Sequence, residues 1–226
     1  YAHARGLLVI IDGKRNDIGS TASAYAEGFL GAGKKSPWGG DALTISPYLG
    51  DDSLTPFVDV ARDRGAGLFV LVKTSNPGSK TFQDLIADGR TVYAQVAEHV
   101  QGLAEQTVGQ HGYGIVGAVV GATHRDEAIQ LRAAMPNTWF LVPGYGSQGA
   151  TARDVAGTFD QHGLGAIINN SRAIIFAHQR AEYARFGPNQ WQAAVAAATH
   201  DMIDELRAET PAGQLAHAPQ SAAASR

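Results

Sequence analysis

The chain has 226 residues, 44% of them hydrophobic and 17% charged, with a formal net charge of −3. That size suits one large domain, and the balance carries no basic footprint for a nucleic-acid partner. There is no cysteine, which excludes disulfides, thiolate metal sites and a cysteine nucleophile.

In chain order, the predicted strands are Leu7–Ile11, Ala42–Ile45, Leu68–Val72, Ile115–Val120, Trp139–Val142 and Ala166–Ile168. Each is apolar on both faces, the mark of parallel strands covered by helices. None approaches the roughly 18 apolar residues of a membrane span, and Asp12 cuts the first one short, so no membrane partner is expected and the expected location is the cytoplasm. Helical periodicity fills the intervals over Thr21–Leu30, Leu54–Arg64, Val92–Gln106, Asp126–Ala134 and Ala152–His162. Asn189–Glu209 reads as a closing helix that Pro211 ends. Strand alternating with helix means βαβ units and an α/β fold. The strand starts recur about every 32 residues, and eight such repeats make the roughly 250 residues of a (β/α)8 TIM barrel. Only six of the eight units are evident. The barrel domain is assigned to residues 1–210, and residues 211–226, largely Ala, Ser, Gln and Pro without period, are expected to form a disordered tail.

Three segments could carry chemistry. In Asp12-Gly-Lys-Arg-Asn-Asp-Ile-Gly-Ser-Thr21, residues two apart on a strand share a side, so Asp12 and Lys14 project together at the carboxyl end, where barrels keep their active groups. Two charges ending an apolar strand cost several kcal/mol of desolvation unless paired; an ion pair without further role and an active site both answer that cost. Asp17 reads equally as a site residue or a helix cap. In Pro143-Gly-Tyr-Gly-Ser-Gln-Gly149 the glycines match G-x-G-x-x-G, but the next strand ends in Asn169 and Asn170 rather than an acidic residue, so the dinucleotide reading fails. A phosphate-binding loop and a plain turn remain. In Ala166-Ile-Ile-Asn-Asn-Ser-Arg172, Arg172 is either a surface charge or, beside the preceding glycine loop, part of the phosphate site that the last two barrel loops often build. Val72-Lys-Thr-Ser-Asn76 and Thr44-Ile-Ser-Pro-Tyr48 end strands with polar groups that could read a ligand. No histidine spacing suggests a metal site, and no serine-hydrolase elbow is present.

The first segment carries in full the D-x-K-x-x-D-I-x-x-T signature of the orotidine 5′-phosphate decarboxylase family. Leu71-Val-Lys-Thr-Ser-Asn-Pro77, Pro143-Gly-Tyr-Gly-Ser-Gln148 and Asn170-Ser-Arg172 extend the resemblance from about residue 7 to 180, closest to the family's longer bacterial branch. The resemblance implies cofactor-independent, metal-free conversion of orotidine 5′-phosphate to uridine 5′-phosphate and CO2. In it Lys14 is the proton donor to C6 and Asp12 faces the substrate carboxylate. Asp17 and Thr21 reach the site of a second subunit, so a homodimer is implied, and Ile18 joins the substrate contacts. Ser75 corresponds to the residue bonding the pyrimidine edge. Gln148 and Arg172 correspond to phosphate-gripping positions, in a loop shaped by Pro143 and Gly144. Alternatives are a Mg-dependent sugar-phosphate enzyme of the same superfamily, such as a hexulose-phosphate synthase, and an inactive nucleotide-binding fragment. The Asp12 strand matches the family's third, so the first two strands, with an aspartate and a lysine of the site, have no counterpart. The natural protein is expected to carry roughly 60–80 residues ahead of Tyr1, by barrel size.

Overall fold

A computed structural model describes residues 1–31, 36–146, 148–187 and 189–217. Eight strands follow in chain order: β1 (Ile10–Arg15), β2 (Ala42–Ile45), β3 (Gly67–Lys73), β4 (Ile86–Ala87), β5 (Arg90–Thr91), β6 (Val116–Val120), β7 (Phe140–Val142) and β8 (Ala166–Ile168). The helices are α1 (Gly19–Phe29), α2 (Asp51–Arg64), α3 (Val92–Glu105), α4 (Arg125–Ala134), α5 (Ala152–Val155), α6 (Arg172–Ile175) and α7 (Trp191–Glu209). Six strands form one parallel sheet in the order β1-β2-β3-β6-β7-β8, while β4 and β5 make a separate antiparallel hairpin. Sequential neighbours with helical crossovers give a curled sheet wound as part of a barrel.

Period-2 alternation sorts the strand residues between two apolar layers. Leu43, Ile45, Leu68, Val70, Val120 and Phe140 point outward into the main core, where Leu54, Phe57, Val100 and Leu131 of the helices meet them. Ala42, Phe69, Val119 and Leu141 point to the concave side, with Ile10, Leu71 and Trp139 packed against them. The strands are therefore apolar on both faces because both faces are covered or curled inward.

The structure departs from the sequence expectations in three places. The first strand runs Ile10–Arg15, later than Leu7–Ile11, and Leu7 and Leu8 are exposed. Pairing with β2 begins where Asp41 anchors the chain, its carboxylate accepting the Val9 N–H at 2.6 Å. The helix expected over Ala152–His162 stops at Val155 and passes through a 3-10 turn, Ala156–Thr158. Asp160 explains the stop: its Oδ1 accepts the N–H groups of His162 and Leu164, both at 2.8 Å, and its Oδ2 accepts the Tyr113 hydroxyl at 2.7 Å, which favours a looped backbone over continued helix. Finally, Pro211–His217, expected within the tail, forms a 3-10 segment whose Ala212 packs on the main core. Thr210 Oγ1 accepts the Ala212 N–H at 3.2 Å and turns the chain back. The remainder of that expected tail, 218–226, lies outside the described residues.

Candidate active site

At the carboxyl ends of the strands a cleft of about 650 Å³ opens between the β1, β3, β7 and β8 loops, with Asp12, Lys14, Ser75, Pro143 and Gln148 in its lining. Its floor is made by the concave apolar layer, including Ile10, Leu71 and Leu141. A mostly apolar hollow with a few convergent polar groups is the usual form of a small-molecule site.

The first strand supplies the charged end. Register with β2 slips between Ile11 and Arg15, a bulge occupied by Asp12, Gly13 and Lys14. Lys14 adopts φ 46°, a left-handed conformation rare for a side-chain-bearing residue and characteristic of functional sites. The fold-back brings Lys14 Nζ to 2.6 Å from Asp12 Oδ1, which also accepts the Thr44 hydroxyl at 2.9 Å. The same Thr44 oxygen accepts the Lys14 N–H at 2.9 Å. Burial pulls the Asp12 carboxyl upward, but the bonds from Lys14 and Thr44 and the Lys14 charge outweigh it, leaving its pKa below the ordinary value. Both side chains are more than half exposed, at 64% and 52%. Such a pair adds little to stability, so the ion pair by itself does not offset the strain at Lys14.

The middle of the cleft comes from the loop after β3. Thr74 is clamped by Gln83, whose Oε1 accepts the Thr74 N–H at 3.0 Å and whose Nε2 donates to Thr74 Oγ1 at 2.8 Å. Behind the next residue lies Gly121, where a Cβ would come within 2.7 Å of the Ser75 nitrogen. The far wall is the glycine loop after β7. Gly144 has φ 106°, and a Cβ there would sit 3.2 Å from Ser75 Cβ and 3.5 Å from Gln148 Oε1. Glycine thus lets this loop close on the β3 loop. Ser147 lies outside the described residues.

Five of the residues singled out from sequence, Asp12, Lys14, Ser75, Pro143 and Gln148, therefore share one cleft, with Gly144 against two of them. Arg172 lines a neighbouring hollow of about 430 Å³ with Asn170, Tyr145 and Gly146. Asp17, Ile18 and Thr21 lie outside the lining of either hollow. Asp17 does not cap α1 through a helical N–H; its Oδ1 accepts the adjacent Ile18 N–H at 2.9 Å, and Ile18 is exposed. Sequence reasoning named the segments Thr44–Tyr48 and Val72–Asn76 only as groups that could read a ligand; it did not foresee Thr44 as the partner of Asp12, Lys73 as a buried charge, or Gln83 as a lining residue that clamps Thr74. Thr44 and Lys73 were both visible as polar residues ending apolar strands, the criterion that singled out Asp12 and Lys14. Among the described residues no group of His, Asp and Glu is arranged to hold a metal ion, and no helix is long and apolar enough to cross a membrane.

A curled parallel sheet with its cleft at the strand carboxyl ends, a strained Asp–Lys pair on one side and a glycine loop opposite, defines a protein of the (β/α)-barrel class with a small-molecule site. Comparison with known sequences narrows the class: residues 1–186 match the model of the orotidine 5′-phosphate decarboxylase / HUMPS family, and the chain belongs to that family. It is 54% identical over 210 residues to the orotidine 5′-phosphate decarboxylase of Rhodopirellula baltica, covering 92% of this chain and 70% of the relative. The Caldicellulosiruptor bescii enzyme of the same name is 43% identical over 198 residues, covering 85% of this chain and 65% of the relative. For the Deinococcus radiodurans enzyme the match is 48% over 177 residues, or 78% of this chain and 62% of the relative. The chain thus spans about two thirds of the length of these relatives. Among solved structures, Leishmania donovani OMP decarboxylase superposes with a TM-score of 0.65 at 34% identity, covering 89% of this chain and 69% of that one. The Methanocaldococcus jannaschii enzyme, solved with the inhibitor BMP, shares the fold with a TM-score of 0.62 at 20% identity, covering 86% of this chain and 73% of that one.

Proposed function

We propose that this chain carries the decarboxylating end of an orotidine 5′-phosphate decarboxylase, releasing CO2 from orotidine 5′-phosphate to leave uridine 5′-phosphate. The observation that carries the reading is the Lys14 ammonium held 2.6 Å from Asp12 in a left-handed fold-back at the rim of the cleft. Cleavage of the bond from C6 to the carboxylate leaves its electron pair on C6. Lys14 stabilises that developing charge and delivers the proton that replaces CO2. Asp12, kept ionised by Lys14 and Thr44, orients the ammonium and opposes the substrate carboxylate, an interaction relieved as CO2 departs. No oxidant, reductant or metal is required by this balance.

Ser75 then reads the pyrimidine edge, while Gln148 and Arg172, with Pro143 and Gly144 shaping the loop, take the phosphate. Binding energy from the phosphate, remote from C6, offsets the cost of holding a carboxylate beside Asp12. Asp17 and Thr21 serve a second copy of the chain in a homodimer, with Ile18 beside them among the substrate contacts. Their position outside the cleft of their own chain supports this, as do the exposed apolar residues Ile18, Tyr48, Leu49, Phe82, Leu85 and Ile86 on the loops following β1, β2 and β3.

One observation favours a second reading, binding without turnover: among the described residues β1 and β8 each pair on one side only. Loss of the orotate ultraviolet absorbance on mixing substrate with the chain separates the two readings. Turnover insensitive to a metal chelator is expected, with Lys14→Ala binding uridine 5′-phosphate but releasing no CO2. An undiminished rate in Lys14→Ala would remove Lys14 as the proton donor.

A further inference from the structure

The most deeply buried charge in the described structure is not in the cleft. Lys73, at the end of β3, is fully buried. Pairing with β6 slips between Leu71 and Lys73, so Val72 and Lys73 are both buried in succession. The ammonium forms a short ion pair with Asp84 and lies 4.8 Å from the centroid of the Tyr93 ring. A charge is buried this fully only when compensated, and an apolar pair of similar size would ordinarily stabilise a core as well. Its geometry suggests what the charge is kept for. Asp84 directly follows Gln83, the residue that clamps Thr74, and Thr74 directly follows Lys73. Tyr93, whose ring faces the ammonium, also donates its backbone N–H to the Gln83 carbonyl at 3.0 Å. The Gln83–Asp84 segment is thus tied to the strand by the ion pair, to α3 by Tyr93 and to the β3 loop by the Gln83 amide.

We propose that Lys73 and Asp84 are a positioning pair for the substrate: through Gln83 they set the height of Thr74 and Ser75 in the cleft, and so the grip on the base rather than on the phosphate. Neither need touch the ligand. The assignment of Ser75 to the base end rests on the decarboxylase reading; the mechanical link from Lys73 to Thr74 does not. Removing one partner strands the other, so the informative variant is the apolar pair Lys73→Met/Asp84→Leu, which leaves the cleft lining unaltered; Gln83→Leu, which changes a lining residue but keeps the ion pair, is the second variant.

The experiment measures binding of uridine 5′-phosphate and of ribose 5-phosphate, which lacks the base, together with amide hydrogen exchange at Thr74 and at Val70 in the core of the same strand. Both variants are expected to weaken uridine 5′-phosphate by roughly five- to twentyfold, the loss of one or two net hydrogen bonds, to leave ribose 5-phosphate unchanged, and to speed exchange at Thr74 but not at Val70. Equal losses for the two probes, or unchanged exchange at Thr74, overturn the proposal. If the unmodified chain binds neither probe, the decarboxylase reading fails, and the exchange data still decide whether the pair positions the loop.

Discussion

Lys14 is held in a backbone conformation that its ion pair does not offset: φ 46° costs a lysine about 1 kcal/mol or more, and an exposed ion pair returns less than that. Asp12 carries a testable consequence. Its folded-state pKa lies below the ordinary value near 3.9, so the unfolded chain binds the proton more readily. The stability it contributes is present above about pH 4 and lost as pH falls through the lower folded value. Because the side chain is exposed, the amount is under about 1 kcal/mol. Urea denaturation across that range is expected to show a shallower acid slope in Asp12→Asn than in the unmodified chain. Gly121 makes a sharper case, since a Cβ there would lie 2.7 Å from the backbone nitrogen of Ser75, which no rotamer can relieve. Gly121→Ala is expected to cost about 1–3 kcal/mol by overpacking and to weaken binding of uridine 5′-phosphate. A variant of unchanged denaturation midpoint and affinity would mean that the β3 loop is free to move.

Among the elements, helix boundaries were least legible where side chains rather than periodicity set them. Nothing in the pattern of Ala152–His162 announces that Asp160 will collect three hydrogen bonds and end the helix seven residues early. Asp160→Ala leaves Tyr113 OH and two backbone N–H groups without that acceptor and is expected to lower stability by about 2 kcal/mol, measured by denaturant titration. By contrast Thr91, which caps α3 through a long 3.4 Å bond from the Ala94 N–H, is expected to cost only about 0.5 kcal/mol on replacement by alanine, the low end for a cap. The strands behaved differently. Ala42–Ile45 and Ala166–Ile168 occur as predicted because short apolar runs between turn signals admit little else. The exception, β1, shifted because pairing with β2, and not the apolar run Leu7–Ile11, decides where a sheet edge begins.

For the whole molecule, the proposed homodimer makes a prediction of its own: Lys14 and Asp17 of one complete site would come from different chains. Lys14→Ala and Asp17→Ala proteins, each inactive alone, are then expected to regain about a quarter of normal activity when mixed in equal amounts. Half the dimers are mixed, and one of the two sites in each retains both residues. Activity that stays at zero after subunit exchange, measured by the orotate absorbance, would confine both residues to one site within one chain.

The sequence by itself determined the βαβ alternation, the apolar character of both sheet faces and the residue types of the Asp12–Lys14 pair, because these follow from local periodicity and from the cost of charge at the end of an apolar strand. It also brought the segments holding Ser75, Pro143 and Gln148 into consideration as ligand-reading or phosphate loops, while their particular roles came from the resemblance. Only the tertiary structure decided that these three share a cleft with the pair while Arg172 lines the next hollow and Asp17, Ile18 and Thr21 face elsewhere. It likewise showed that Gln83 joins the cleft lining and clamps Thr74, while Thr44 bonds Asp12 and the buried Lys73 pairs with Asp84 beneath them. Those contacts span 9 to 32 residues of chain, and a hydrogen bond between distant strands leaves no periodic trace in the sequence from which it could be read.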